Sequence, residues 1–305
     1  FNDPWLHEHI QKIMCRITVF TPTYNRAYAL PHLYETLQEQ TFRDFEWLIV
    51  DDGSSDNTEE LIQSWINDAR LPIRYIKTPN GGKHRAINKG LALAKGELFF
   101  IVDSDDWLPI DSLYWINYHY QEIKDDDSFA GVGASRCYPD GKIIGDKVPY
   151  DFIDTDVVSF RETFKIYGDM AEAWKTKVLS LYPFPEFPGE MFLTEAVVWN
   201  RMAKKYKLRY FNKAIYTCEY LQDGLTSHIR RHHRNSPRGT MLFYSELVRD
   251  KRFSWVSRMK AAANYWRYTV LCHCKRPSVP LWVKLFYVLG FLFMCKDLLN
   301  ERAKR

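Results

Sequence analysis

Four short apolar runs punctuate the first hundred positions, and each ends in small polar or acidic residues. Residues 15–20 (CRITVF) form a β-branched run that stops at Thr21-Pro22. Residues 45–50 (FEWLIV) run into Asp51-Asp52-Gly53-Ser54, Ile73–Lys77 is a third run, and 97–102 (ELFFIV) is almost continuously apolar, as expected of a strand covered on both faces. Between them the apolar positions change period: Leu30, Leu33 and Leu37, then Leu61, Trp65 and Ile66, recur at helical spacing, and 83–95 reads as a third helix. The alternation β-α-β-α-β-α-β predicts an α/β fold with a parallel sheet and right-handed crossovers. Further on, 111–123 predicts a helix, 125–160 a polar stretch of short strands and turns, and 192–206 a helix with Val198 and Met202 on its apolar face.

Ligands of such sheets bind beyond the carboxyl ends of the strands. The groups to inspect are therefore Thr21, Thr23, Tyr24 and Asn25 after the first run, Asp51, Asp52, Ser54 and Asp56 after the second, and Asp103-Ser104-Asp105-Asp106 after the last. Three carboxylates within four residues repel one another and are costly to hold without a cation. Hard oxygen ligands suit Mg2+ or Mn2+, which share phosphate oxygens with a substrate. An acidic turn capping the next helix is the plainer reading of DSDD alone, but Asp51-Asp52 at a second strand end weighs against it.

TPTYNR (21–26), WLIVDDGSSDNT (47–58), NKGLALAKGE (88–97) and FIVDSDDWL (100–108), in this order and spacing, resemble a family 2 glycosyltransferase. The resemblance is strong over 15–108, thinner over 185–226 and absent beyond about 240. It implies the GT-A fold, a Rossmann-like, mostly parallel sheet flanked by helices. It further implies metal-dependent, inverting transfer from a UDP-sugar to a hydroxyl of a glycan or lipid-linked acceptor, as in surface-polysaccharide assembly. On the family's pattern Thr21, Pro22, Tyr24, Asp51 and Asp52 surround the base, Asp103 lies near the ribose, and Asp105 holds Mn2+ or Mg2+. Where the family often has an arginine this chain has Ile87, so Lys83 or Arg85 is expected to take over its phosphate or base contact. The family's Glu-Asp pair is reduced here to Glu195, four residues ahead of Trp199, which implies Glu195 as general base. A first-turn helix acid with Thr194 as cap is the structural alternative, and Glu190 is the fallback base. His228, in the run HIRRHHR, is expected to ligate the metal beside Asp105; a zinc pair with His232 and a merely solvated basic surface are the other readings of that run. Rival functions are a nucleotidyltransferase, whose usual glycine- and arginine-rich N-terminal loop is missing, and a non-catalytic nucleotide-sugar-binding protein.

Composition narrows the class and adds one signal. Of 305 residues 46% are hydrophobic and 26% charged, which excludes disordered and collagenous chains, while 16% aromatics point to stacking surfaces or a membrane interface. Six scattered cysteines without a CxxC pair read as a reducing compartment. The net charge of +4 conceals an asymmetry: 228–305 carry 17 Lys+Arg against 4 Asp+Glu, which leaves the remainder acidic at −9. An anionic surface or phosphate ligand should meet the basic end, and nothing points to nucleic acid. Residues 1–13 show no secretory pattern and read as an N-terminal extension ahead of Met14. The expected organisation is a catalytic domain over 14–235, its nucleotide-binding half over 14–110 and its acceptor half over 111–235, followed by a helical, basic region over 236–305. Within that region 254–271 is amphipathic. The apolar stretch 281–295 would rise only about 22 Å as a helix, short of a bilayer's hydrocarbon core. It is expected to lie in a membrane interface or to pack on the protein, which makes the chain cytoplasmic and peripheral on the membrane's cytoplasmic face.

Overall fold

The computed structural model describes residues 15–219, 228–270, 272 and 274–302. The extension over 1–13 and the segment 220–227 leading to His228 lie outside the described residues. The first half alternates as its pattern predicts: β1 (Ile17–Thr23), α1 (Leu30–Gln38), β2 (Phe45–Asp51), α2 (Thr58–Asp68), β3 (Ile73–Lys77), α3 (Lys83–Leu93) and β4 (Leu98–Ile101). The chain continues through α4 (Ser112–Gln121), β5 (Phe129–Cys137), β6 (Phe152–Thr155), α5 (Val157–Glu162), β7 (Met170–Lys175), α6 (Thr176–Leu179), α7 (Ala196–Met202) and β8 (Lys207–Thr217). The eight strands form one sheet in the order β3-β2-β1-β4-β7-β5-β8-β6. Six strands run the same way; β7 and β6 are antiparallel to their neighbours.

Period-two alternation divides the strands between two cores. Ile17 and Val19 of β1 and Trp47 and Ile49 of β2 face α1, α2 and α4, whereas Phe20, Leu48 and Val50 face the other side with α3, α5 and α7. β1 extends through Pro22 to Thr23, beyond the run that stops at Phe20, because Thr21 and Thr23 keep pairing with Ile49 and Asp51 of β2. This places the ends of β1, β2 and β4 on a common edge. α7 is shorter than the expected 192–206 helix, because 192–195 is an irregular lead-in to it.

The C-terminal region folds as α8 (Ile229–Asn235), α9 (Pro237–Arg249), α10 (Trp255–Thr269), a 3-10 turn over Leu281–Phe286 and α11 (Tyr287–Arg302). It has its own small core of Met241, Val248, Ala262, Tyr265, Trp266 and Val283. It is also bolted to α7: Arg201 pairs with Glu246 at 2.6 Å, and Arg252 donates to the carbonyls of Ala203 and Asn200. Cys272 and Cys274 are joined as a disulfide, which the reading of scattered thiols does not anticipate.

Candidate active site

The edge is built from the start of α3. Gly82, its N-cap, has φ +93°, and a Cβ there would stand 2.0 Å from the Met191 carbonyl oxygen. Glycine alone allows the helix start to abut the segment that leads into α7. Two side chains of α3 then clamp that segment. Arg85 donates to the carbonyls of Phe187 and Glu190, both at 2.7 Å, and Asn88 exchanges hydrogen bonds with the backbone of Phe184. As a result the Lys83 ammonium lies between two carboxylates, 2.7 Å from Asp103 Oδ1 and 3.0 Å from Glu195 Oε1. Burial alone would lower the Lys83 pKa, but the charges of Asp103 and Glu195 outweigh it and raise it. Burial likewise opposes ionisation of Asp103, yet Lys83 and Arg136 hold its carboxyl below its ordinary value. Glu195 stands at the N-cap of α7 without capping it, and its carboxylate is turned to Lys83 instead.

The rest of the DSDD segment divides into one supported and one open carboxylate. Asp106 is buried, accepts the Tyr216 hydroxyl at 2.8 Å, and is pushed up to about 7 by burial and by its neighbours Asp103 and Asp105. Tyr216, on β8, also accepts the Asp103 amide at 2.9 Å, and the Arg136 guanidinium lies over its ring at 4.3 Å. Asp105 is raised by burial and then by Asp103, and the Arg26 guanidinium lies 4.0 Å from it. Arg26 and Lys83 offset this only in part, and its hard oxygens fit a divalent cation. Among the described residues no group of three His, Cys, Asp or Glu could hold a metal ion, so such an ion would need oxygens from a bound diphosphate.

Several expected residues do other work. Thr21 is fully buried and its hydroxyl accepts Trp47 Nε1 at 2.9 Å, because its side chain shares the face of Val19. Pro22 is buried within β1, while Tyr24 is exposed at the rim. Thr23, at the strand end, has a buried hydroxyl without a hydrogen-bond partner among the described residues. Asp51 is buried and accepts both the Ser54 amide at 2.7 Å and the Tyr75 hydroxyl at 2.6 Å. Asp52 accepts the amides of Gly81 and Gly82, each at 2.7 Å, and so holds the loop that presents Lys83. Glu190 accepts the amides of Arg238 and Gly239 at the start of α9, which commits the fallback base to a helix terminus. Arg85, the alternative to Lys83, is engaged by the carbonyls of Phe187 and Glu190. His228 is exposed at the N-cap of α8, and no described contact joins it to Asp105.

Two further groups on this side escape sequence reading. Glu172 of β7 is pushed up to about 7, first by burial, against the pull of Arg136 and Arg161. His84, next to Lys83, is buried with Nδ1 unpartnered, and burial lowers it to about 4, which keeps it neutral. Glu172 lies in a strand with no apolar run to announce it, and His84 carries no spacing signal.

A sequence profile of glycosyl transferase family 2 matches residues 18–170, half of the chain. The chain belongs to glycosyl transferase family 2. Among its family 2 relatives, glycosyltransferase GlyG of Streptococcus pneumoniae serotype 4 is 33% identical over 123 residues, 40% of either chain. The GalNAc(5)-diNAcBac-PP-undecaprenol beta-1,3-glucosyltransferase of Campylobacter jejuni is 28% identical over 223 residues, 70% of this chain and 68% of that one. The match thus spans well under two thirds of GlyG. Staphylococcus aureus TarS 1–349, solved in complex with UDP-GlcNAc, shares the fold with a TM-score of 0.55 at 17% identity, over 92% of this chain and 89% of that one. The architecture is accordingly the GT-A arrangement expected for family 2.

Proposed function

We propose that this chain transfers a sugar from a UDP-sugar to a hydroxyl of a glycan or lipid-linked acceptor, with inversion, in surface-polysaccharide assembly. The observation that carries the reading is the Lys83 ammonium held between Asp103 at the end of β4 and Glu195 at the head of α7. This contact joins a donor-side acid to a candidate base through one ammonium group. A diphosphate at the strand edge offers Lys83 a denser negative charge than either carboxylate. Once Lys83 turns to it, Glu195 is left unpaired beside the acceptor hydroxyl and can take its proton. The acceptor oxygen then bonds to the anomeric carbon from the face opposite the diphosphate, the bond to the phosphate oxygen breaks, and UDP leaves with the electron pair. Mn2+ or Mg2+ on Asp105 would supply Lewis-acid stabilisation of the leaving diphosphate. Asp103 and Thr23 would meet the nucleoside, with Tyr24 at the rim; His228 remains a candidate for the metal's outer side.

UDP-sugar use is supported by the fold shared with TarS, and a lipid-linked acceptor by the undecaprenol named for the Campylobacter relative. On this reading 14–235 is the catalytic unit, and the enzyme works peripherally on the cytoplasmic face of a membrane, where such an acceptor is presented. The test is a panel of nucleotide sugars assayed for metal-dependent donor hydrolysis, followed by Glu195→Gln on the active donor. Donor binding should persist while transfer falls by about two to four orders of magnitude, as for loss of a general base. Near-normal transfer by the variant would remove Glu195 from the role.

A further inference from the structure

We propose that the outer face of the 3-10 turn and α11 is a docking surface for an anionic lipid bilayer. The inner face fixes the orientation of this segment. Val283, Gly290, Met294 and Asp297 are buried against α10. Trp266 Nε1 donates to the Val283 carbonyl at 2.8 Å, and Arg267 holds Asp297 through two contacts at 2.6 and 2.7 Å. A Cβ on Gly290 would stand 2.4 Å from Trp266 Cβ and 2.7 Å from the Ala263 carbonyl oxygen, so the two helices meet almost backbone to backbone.

A helix anchored in this way should present polar residues on the opposite side. This one presents a stripe. Leu281, Leu285, Val288, Leu292 and Leu299, at steps of four, three, four and seven, are 77%, 82%, 65%, 56% and 65% exposed. Tyr287, Phe291 and Phe293 add exposed rings alongside. A contiguous apolar face of this kind on a folded chain marks a surface that is covered in use.

Charge selects the occupant. Lys284 and Lys296 are exposed within the same segment, in a region, 228–305, whose net charge is +13. Pairing two copies through this face would bring those like charges together, whereas an anionic bilayer neutralises them. No helix among the described residues is long and apolar enough to cross a membrane, so the segment lies in the interface plane. Apolar insertion and basic attraction are the two signals that peripheral anchoring requires.

The test is sedimentation of the full chain with vesicles of phosphatidylcholine alone and with about one third phosphatidylserine. This inference stands apart from the catalytic reading, because vesicle binding is scored without turnover. The chain should co-sediment with the anionic vesicles, weakly with the neutral ones, and be only partly released by 0.5 M salt. Leu285→Asp combined with Leu292→Asp changes solvent-facing positions and should cut the bound fraction at least tenfold, with the thermal transition retained. Lys284→Glu with Lys296→Glu should weaken binding to the anionic vesicles alone. Absence of binding by the full chain overturns the proposal. So does a dimer in solution that the double aspartate variant dissociates while vesicle binding is unchanged.

Discussion

Replacing Lys83 by methionine removes one positive charge, keeps the apolar stem, and leaves Asp103 and Glu195, both within 3.0 Å of the vanished nitrogen, facing each other. A unit-charge pair at about 3 Å is worth about 5 kcal/mol at an effective dielectric of 20 and about 1.4 kcal/mol in bulk water. The three side chains are 24%, 29% and 33% exposed, so the contacts fall between a buried pair and a surface pair. After discounting for solvent and for the desolvation that pairing had offset, the expected loss is about 2 kcal/mol. Its pH dependence follows from Asp103. The lysine holds that carboxyl below its ordinary value, so the stabilisation is fully present above the unfolded value near 4 and is lost as pH falls through the depressed folded value. In Lys83→Met the same carboxyl, still buried, rises above its ordinary value and takes up a proton at higher pH than in the wild type. Urea unfolding of both proteins should therefore show the widest gap near pH 7 and a narrowing gap toward pH 4. A gap below about 0.5 kcal/mol at pH 7, or one independent of pH, would refute the assignment of Lys83 as the counter-charge of this edge.

Asp105→Asn nearly preserves volume and removes the open carboxylate; it should abolish Mn2+-dependent UDP binding, read by calorimetric titration, while the thermal transition persists. Gly82→Ala, at φ +93° and 2.0 Å from the Met191 oxygen, should either fail to fold or separate α3 from the 184–195 segment, with transfer lost more severely than UDP binding. Asp106, pushed up to about 7, binds a proton in the folded state that the unfolded chain releases near pH 4, so its contribution falls as pH rises from about 4 to 7. Stability curves of Asp106→Asn should accordingly be flatter than wild type over that range, and curves that superimpose would contradict the raised value.

The first four strands were legible because each is an apolar run bounded by turn residues, and the crossover helices because their period changes with them. β7 and β8 were not. MAEAWK mixes helix formers with charges, and its Lys175 is buried only because its ammonium donates to three carbonyls, of Ile123, Lys124 and Asp126. β8 carries Lys207, Arg209, Asn212 and Lys213, which mask its apolar alternation. Within the site, DSDD was readable as an acidic strand end and Lys83 as a candidate cation, but the tertiary contacts that bring Lys83, Tyr216 and Arg136 to those acids have no local signature. The direction of the Thr21 side chain was legible too: its position in β1 shares a face with Val19, and alternation alone sends it toward Trp47.

The pairing of Asp106 with Tyr216 spans 110 positions, and that of the Asp103 amide with the same hydroxyl spans 113. Translation at about 5–20 residues per second makes this an interval of about 5–20 s between synthesis of the acids and synthesis of their partner. During that interval the early strands can already pair with one another, since β1, β2, β3 and β4 are joined side by side. Their acidic edge, however, lacks the Tyr216 phenol that later supports it. Nascent chains arrested ahead of β7 should thus show protected amides in β1 and β2 while the 103–106 turn still exchanges freely. The order of synthesis withholds the support of the 103–106 turn until β8 has been made.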